Sequence, residues 1–359
     1  MDFELSEDQI ALRGAAAELL DRLASPAQVR AVFDAGGGVD PILWSAMVEQ
    51  GWTALEVPDS DGGLGLGSVE VAVLLEEIGG HAAPAPFRSS ALAVDALRVG
   101  GELERAARVV EGTIACVAWS RDPTAVRADA RGNSWQLTGR ADPTIDGPSA
   151  EIAVVLAGAD GEPAIFAVDL PDARAREPVM DRTRELAWLD FDATPAVRLG
   201  GADATRRLLD RGATFAAAEL TGMSTRALDM AVEYAKDRVQ FDRPIGSFQA
   251  VKHRCADMLV DVEGMRSAVY WAAWCVGADS DERSIAASTA KLWSTDASKR
   301  VMAGALQVHG GIGFTWEHDL HFFMKRAQLD QVSFGDADFH RDRLAALLRT
   351  KVEAGESVL

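Results

Sequence analysis

The sequence predicts an α+β chain in which a helical part comes first, a small β-domain follows and long helices complete the chain. Residues 1–110 carry apolar side chains at helical spacing, whereas residues 111–201 carry short apolar runs separated by turn residues. Residues 202–359 return to long helical patterns. Several strands without helices between them indicate a small antiparallel barrel or sandwich.

The first predicted helix begins after Ser6. A serine followed by two acids is typical of a helix N-terminus, because the hydroxyl caps free N–H groups and the acids face the positive end of the helix dipole. A turn-rich break, VPDSDGGLGLG, spans residues 57–67, and the next helix ends at Gly79-Gly80. The apolar positions are Ile10, Leu12, Ala15, Ala16, Leu19 and Leu20 in the first helix and Val71, Leu74, Leu75 and Ile78 in the second.

Five short runs predict the strands of the β-domain, because each is apolar or aromatic and lies between glycine, proline and aspartate residues. They span residues 114–119, 135–137, 152–156, 164–168 and 186–191.

Two apolar seams predict the final helices. Spacings of three and four residues place each seam on one helix face, and long antiparallel helices with such seams form a four-helix bundle. The seams are Met258, Val262, Met265, Val269, Ala272 and Val276 in one helix, and Ala286, Ala290, Trp293, Ala297 and Val301 in the next.

Composition excludes several classes of function. A net charge of −19 argues against a nucleic-acid surface and against binding to an anionic membrane. Cys116, Cys255 and Cys275 lack metal or disulfide spacing, which predicts buried thiols in a reducing compartment. The acidic start lacks the basic-then-apolar layout of a signal peptide, so we expect a cytoplasmic location.

Two segments carry the functional signal. Residues 226–253, RALDMAVEYAKDRVQFDRPIGSFQAVKH, place arginines and glutamines at a corner between two helices, which suits an anionic ligand. In QVHGGIGF at residues 307–314, paired glycines let the backbone approach a ligand. The first segment resembles the RxxFGxxIxxFQ segment of the acyl-CoA dehydrogenase family, and the second resembles another segment of that family. PDSDGGLG also resembles its PxxxGGxG turn.

The resemblance covers nearly the whole chain and implies the fold and the reaction. The family fold has an N-terminal helical domain, a middle β-barrel domain and a C-terminal four-helix bundle, here expected at residues 1–110, 111–201 and 202–359. Family enzymes dehydrogenate acyl-CoA thioesters: a glutamate removes the α-proton while the β-hydride passes to flavin adenine dinucleotide (FAD). The resemblance also implies electron-transfer flavoprotein as the electron acceptor.

Family FAD lies across a subunit boundary, and this chain matches one half of that site. By resemblance, Arg238 would pair with the pyrophosphate, Phe241 would pack against the cofactor and Gln249 would hydrogen-bond nearby. For His309 we expect contact through the backbone and not the ring. The facing turn would be formed by Gln307, Val308, His309, Gly310 and Gly311.

The other half of the flavin site lacks the family's residues. Where the family has a TEPxxGSD-like stretch, residues 119–124 read WSRDPT, and only the proline is recognisable. Where the family has GxKxWIT, Gly139 begins GRADPTI, so Ala141, Pro143 and Ile145 replace the lysine, the aromatic residue and the threonine. These residues supply neither the aromatic ring nor the hydroxyl donor.

Both family positions for the catalytic base are also apolar. One falls on Phe334 in the turn SFGD, and the other, 26 residues before Arg238, falls on Gly212. Glu219, about 10 Å along the same helix from Gly212, is a candidate replacement, with an ordinary helix-face acid as the alternative. For Asp336 we expect a turn-stabilising role.

Three functions remain open. Because the losses fall in one half-site, we favour a subunit of a heteromeric α2β2 acyl-CoA dehydrogenase, completed by a homologous subunit that carries the base. Such subunits are similar to those of actinobacterial enzymes acting on steroid side-chain CoA thioesters. The alternatives are a self-sufficient homotetramer that uses Glu219 and a flavin-free scaffold or regulatory protein.

Overall fold

The computed structural model describes residues 4–132, 134–170 and 174–357, and its elements follow the predicted order of helices, strands and helices. The helices before the sheet are α1 (Glu7–Leu23), α2 (Pro26–Asp34), α3 (Pro41–Glu49), α4 (Ser68–Gly80), α5 (Phe87–Val99) and α6 (Leu103–Val110). The strands are β1 (Ala115–Ala118), β2 (Val126–Arg131), β3 (Ser134–Ile145), β4 (Ile152–Ala159), β5 (Glu162–Asp169) and β6 (Leu186–Gly200). The remaining elements are α7 (Ala202–Asp237), β7 (Val239–Gln240), β8 (Arg243–Pro244), α8 (Gln249–Gly277), α9 (Arg283–His309), α10 (Leu320–Val332) and α11 (Ala337–Glu353).

The chain divides into two compact units. The first contains α1, α4, the part of α7 from Ala213 onward and all later elements, and the second contains Ala27–Gly67 and Pro84–Gly212. The boundaries of the three consecutive domains expected from the sequence remain a prediction. In the described part of the chain, no helix is both long and apolar enough to cross a membrane.

In the first unit, α1 begins as predicted. The Ser6 hydroxyl accepts from the Gln9 N–H at 3.2 Å, and the Gln9 side chain accepts from the Ser6 N–H at 3.0 Å. The predicted apolar face of α1 is partly wrong, because Ile10 is 57% exposed and Ala15 is also exposed. Only a narrow stripe of this helix is covered, formed by Ala16, Leu19 and Leu20.

The seam predicted on α8 is confirmed, since all six of its residues are buried. The seam on α9 is confirmed except at Trp293, which is 42% exposed. The Trp293 indole lies across Gly264 of α8, where a Cβ atom would come within 2.8 Å of the ring nitrogen. Trp293 therefore covers the outer surface of the α8–α9 pair and does not enter the core.

Two thiols, those of Cys116 and Cys275, are buried as predicted, and burial raises the pKa of Cys116 to about 12 and that of Cys275 to about 11. The prediction is wrong for Cys255, which is half-buried. Its neighbours on α8, Arg254 and Ala256, are both exposed, so this flank of the helix faces solvent.

The second unit contains a closed six-stranded barrel in the order β1-β4-β2-β3-β6-β5, with β5 returning to pair with β4. Antiparallel pairing throughout is wrong, because β4 runs parallel to both β1 and β2. The chain passes through β2 and β3 before it returns as β4 beside β1. The sequence missed β2, VRADAR, because its charged residues interrupt any apolar run. Small and apolar side chains fill the barrel, among them Leu137, Val155, Phe166, Leu189 and Phe191.

Glycines bring α4 and α7 into backbone contact within the first unit. A Cβ atom at Gly222 would lie 1.8 Å from the Glu76 carbonyl oxygen, and one at Gly79 would lie 2.3 Å from the Glu219 carbonyl oxygen. No side chain fits at either position without moving a helix. This contact fixes α7, the helix that leads to Arg238.

We expect Gly222→Ala to lower the free energy of unfolding by at least about 2 kcal/mol, because the new methyl group meets backbone and not a flexible side chain. Gly14→Ala on α1 is the matched control. No atom lies within 4 Å of a Cβ there, so it should stabilise the chain by about 0.5–1 kcal/mol. Urea unfolding of both variants measures the difference, and equal stabilities would contradict the α4–α7 contact.

Candidate functional site

Three sequence-predicted segments meet at one end of the helices of the first unit. The Tyr234 ring of α7 stacks on the His309 ring at the end of α9, with centroids 4.9 Å apart. Arg238 follows Tyr234 by one helical turn. On α9, Gly304 faces Met258 of α8, so the beginning of α8 lies at this same end. The structure thus brings the α7 corner, the start of α8 and the 307–314 segment together.

A strained hairpin forms the corner after α7. Phe241 has φ +54° and Asp242 has φ +61°, the left-handed conformations that a tight two-residue hairpin turn requires. The Ile245 N–H donates to the Arg238 carbonyl oxygen at 2.7 Å and closes the corner. The Phe241 ring is 86% exposed at the tip, where solvent or a ligand can reach it. A phenylalanine held in this conformation is uncommon and marks the tip as a candidate contact site.

Three polar side chains of the predicted site are exposed. Arg238, Gln249 and Gln307 make no side-chain hydrogen bond or ion pair to any other residue that the structure describes. Arg238 is therefore not the surface ion pair that a lone arginine often forms. A guanidinium with free donors binds phosphate oxygens well, and the two amides add further donors.

The turn that ends α9 leaves its backbone accessible. Gly310 has φ +63° and ψ −139°, a conformation essentially restricted to glycine. A Cβ atom at Gly310 or Gly311 would meet no atom within 4 Å. The sequence predicted close approach of a ligand to these glycines, and the open space beside them fits that chemistry.

His309 holds this turn from inside. Its ring is 3% exposed, and Nδ1–H donates to the Ala305 carbonyl oxygen at 2.8 Å. The His318 ring meets it edge to face at 4.4 Å, and burial, followed by the charge of His309, lowers the pKa of His318. The side chains of His309 and Val308 are both buried, so a ligand could meet only the backbone at these two positions.

Sequence reasoning missed Tyr234 and His318, which both pack against the His309 ring. Tyr234 stands four residues before Arg238, a spacing that places both on one helix face. That spacing was the available signal for Tyr234. No local pattern marks His318, because its contact with His309 forms only when the chain turns back into α10.

In the second unit, the residues at the family's flavin-ring motifs bind one another. The Ser120 hydroxyl donates to the Asp142 carboxylate at 2.7 Å, and the Thr144 hydroxyl donates to the Asp142 carbonyl oxygen at 2.9 Å. Ala141 is buried in the barrel core, and Pro143 is exposed. The Thr124 hydroxyl donates to the Asp122 carboxylate at 2.6 Å, so all three hydroxyls of these two stretches donate within the chain.

The turn at the family's base position is well formed but carries no acid there. Phe334 is 8% exposed and has φ +55°. The buried Lys291 ammonium donates to the carbonyl oxygens of Gln331 at 3.0 Å and Gly335 at 2.9 Å, and His340 Nε2–H donates to the Phe334 carbonyl oxygen at 2.8 Å.

Asp336 ends this turn. Its carboxylate accepts from the Phe339 N–H at 2.8 Å and caps α11, the turn-stabilising role expected from the sequence. The acid nearest in sequence to Phe334 is therefore already engaged in holding the backbone.

Glu219, the candidate replacement base, is fully buried in the first unit. Its Oε1 lies 3.4 Å from Nη2 of the equally buried Arg326, whose Nη1 donates to the Ala83 carbonyl oxygen at 2.7 Å. A buried carboxylate beside a guanidinium forms a structural ion pair, and breaking such a pair is costly. Glu219 is thus placed to join α7 and α10 and not to meet solvent.

The turn predicts a pH dependence. Burial, followed by the charge of Lys291, lowers the pKa of His340 to about 3, well below the ordinary value of 6.5. The pKa of His340 is lower in the folded state than in the unfolded state. Its contribution to the free energy of unfolding is therefore fully present above pH 6.5 and is lost as the pH falls towards 3.

We expect His340→Gln, which keeps a donor for the Phe334 carbonyl oxygen, to show a shallower fall in unfolding free energy between pH 6.5 and 4. The difference in slope should be at most about 1.4 kcal/mol per pH unit. His253→Gln, at an exposed histidine of α8, should keep the wild-type slope. Urea unfolding across this pH range is the measurement. Parallel curves for wild type and His340→Gln would contradict the assignment.

Comparisons with known proteins place the chain in one family. The family model for the acyl-CoA dehydrogenase N-terminal domain matches residues 6–115, and that for the C-terminal domain matches residues 200–348. The residues between these two matches include the whole of β2 to β5 and nearly all of β6.

Individual relatives extend over nearly the whole chain. Acyl-CoA dehydrogenase IpdE2 of Mycolicibacterium smegmatis is 37% identical over 90% of this chain and 93% of its own length. A chain of the ChsE4-ChsE5 complex from Mycobacterium tuberculosis superimposes with a TM-score of 0.90 and 31% identity, covering 97% of this chain and 99% of that one. The Tcur3481-Tcur3483 steroid ACAD G363A variant gives a TM-score of 0.90 at 28% identity, with the same coverage.

Proposed function

Because this chain belongs to the acyl-CoA dehydrogenase family, we propose that it is a non-catalytic subunit that completes the FAD site of a homologous, base-carrying subunit. The observation that carries the proposal is an asymmetry. Arg238 is exposed and unpaired among the described residues, one helical turn after Tyr234, whose ring stacks on His309 next to the open Gly310-Gly311 turn. Phe334 and Gly212 stand at the positions predicted for the base.

The residues at the end of the α7–α9 helices fit the phosphate-bearing part of FAD. Arg238 would hold the pyrophosphate by charge-assisted hydrogen bonds, with Gln249 and Gln307 as further donors. Backbone N–H groups of Gly310 and Gly311 would approach the same oxygens, and Phe241 would cover the cofactor. When bound, FAD supplies the hydride acceptor of the reaction, and this chain's residues fix its position.

The partner follows from what this chain lacks. Flavin-ring contacts and the base must come from elsewhere, since Ser120 and Thr144 already donate within the chain and Phe334 cannot accept a proton. A longer homologous subunit in a 1:1 heterotetramer would supply both. The similar structure from Mycobacterium tuberculosis, ChsE4-ChsE5, is a complex, which supports this type of assembly.

The substrate we propose is an acyl-CoA thioester, with a steroid side-chain CoA thioester as the specific class. Support for the steroid class comes from the structural similarity to the Tcur3481-Tcur3483 steroid ACAD. We further propose a cytoplasmic location and electron-transfer flavoprotein as the electron acceptor of the assembled enzyme.

The two other functions have weaker support. A self-sufficient homotetramer would need Glu219 as its base, yet that carboxylate is fully buried beside Arg326. A flavin-free scaffold gives no role to an exposed guanidinium beside an open glycine turn. The heteromeric function uses both features.

We expect Arg238→Ala to weaken FAD binding of the assembled complex by about 1.5–3 kcal/mol, because a charge-assisted phosphate contact is lost. Arg349→Ala is the matched control, since Arg349 is exposed near the end of α11 and also has no described side-chain partner. Flavin absorbance after dialysis measures retention, and circular dichroism checks folding. Equal flavin content in the two variants would remove Arg238 from the site.

A second expectation concerns assembly. The chain expressed alone should bind no flavin, because it supplies only half of the FAD site. It should also show no dehydrogenation, because both predicted base positions are apolar. Co-expressed with its homologous partner, it should form a 1:1 tetramer with about half the flavin of a homotetramer. Light scattering and flavin absorbance decide the stoichiometry. Turnover by the chain alone that is abolished in Glu219→Gln would establish the homotetramer instead.

A further inference from the structure

An exposed tryptophan follows the glycine turn directly. Trp316 lies two residues after Phe314 and is 65% exposed, so a ligand beside the turn can reach its ring. The Lys325 ammonium of α10 lies 4.0 Å from the ring centroid, over one face. A cation in this position is attracted to the ring and also draws electron density from it.

His321 fixes the ring and the lysine together. His321 Nε2–H donates to the Trp316 carbonyl oxygen at 3.3 Å, and Nδ1 accepts from the Lys325 ammonium at 3.2 Å. One neutral tautomer satisfies both bonds. The imidazole also meets the indole edge to face at 5.1 Å. Trp316 is therefore held by α10 and is not a mobile surface side chain.

We propose that Trp316 is the stacking platform for the adenine ring of the dinucleotide whose pyrophosphate Arg238 and the Gly310-Gly311 turn receive. The inference rests on the proposed function. It adds to Phe241 a second aromatic surface, on the segment that directly follows the phosphate-binding turn. Stacking of a nucleobase on an aromatic side chain needs only a π-face, and Trp316 offers the largest ring beside the turn.

The test compares variants of the co-expressed complex. Trp316→Ala should raise the dissociation constant for FAD about tenfold, whereas Trp316→Phe, which keeps an aromatic face, should raise it by no more than about threefold. Trp293→Ala is the matched control, because Trp293 is also exposed and also has a cation, Arg300, over its ring at 5.4 Å. It should leave FAD affinity unchanged.

A second measurement uses ADP, which carries the adenine and pyrophosphate without the flavin. ADP titrated into the co-expressed complex should quench tryptophan fluorescence, and that quenching should disappear in Trp316→Phe but persist in Trp293→Phe. Quenching that survives in Trp316→Phe would overturn the inference.

Comparison with Arg238→Ala separates the possible failures. If Arg238→Ala loses FAD while Trp316→Ala binds it normally, the adenine platform is wrong and the proposed function stands. If neither variant changes FAD affinity, the proposed function falls with the platform. If Trp316→Ala dissociates the complex while the remaining assembled fraction binds FAD with wild-type affinity, Trp316 is a subunit contact and the inference is overturned.

Discussion

The packing of the helices in the first unit depends on the contacts of one buried carboxylate, that of Glu76. Its oxygens accept from the Tyr270 hydroxyl at 2.7 Å and from Arg266 at 3.0 Å, and Arg13 lies at 3.4 Å. Arg266 also donates to Thr225 at 3.1 Å. These partners come from α1, α7 and α8, so one acid on α4 joins four helices. Removing this carboxylate would leave the guanidinium groups of Arg13 and Arg266 partly buried without the acid that pairs with both, which is costly.

The position of α7 connects this network to the candidate site. Glycines press α4 and α7 together beside Glu76, and the C-terminal part of α7 then delivers Tyr234 and Arg238 to the end of α9. The Glu76 network joins α4 to α1, α7 and α8. Its role is to hold α7, the helix that carries the predicted phosphate contact. The position of Arg238 therefore depends on a salt-bridge cluster that contacts α7 at Thr225.

The turn predicted to hold the family's base keeps its backbone contacts with Phe334 at its tip. Lys291 and His340 hold the carbonyl oxygens of the turn around Phe334, and Asp336 caps the following helix. A backbone of this kind is specified by buried donors and by a glycine, not by the residue at its tip. The backbone of the turn can therefore keep its contacts with phenylalanine at its tip, because none of those contacts uses the Phe334 side chain.

The order of helices and strands, the seam of α8, the cap at Ser6 and the two motif segments could be predicted from the sequence, because each depends on local periodicity or on residues close in the chain. The other features could not be predicted, because they depend on how distant segments pack. The parallel pairings of β4, the burial of Glu219 against Arg326 and the contact of His309 with Tyr234 join residues far apart in sequence. The exposure of Trp293 and Ile10 depends in the same way on which distant segments cover each helix. Local pattern shows which face of a helix is apolar. It does not show which neighbour covers that face, or whether a buried charge meets its partner, because both depend on how distant segments pack.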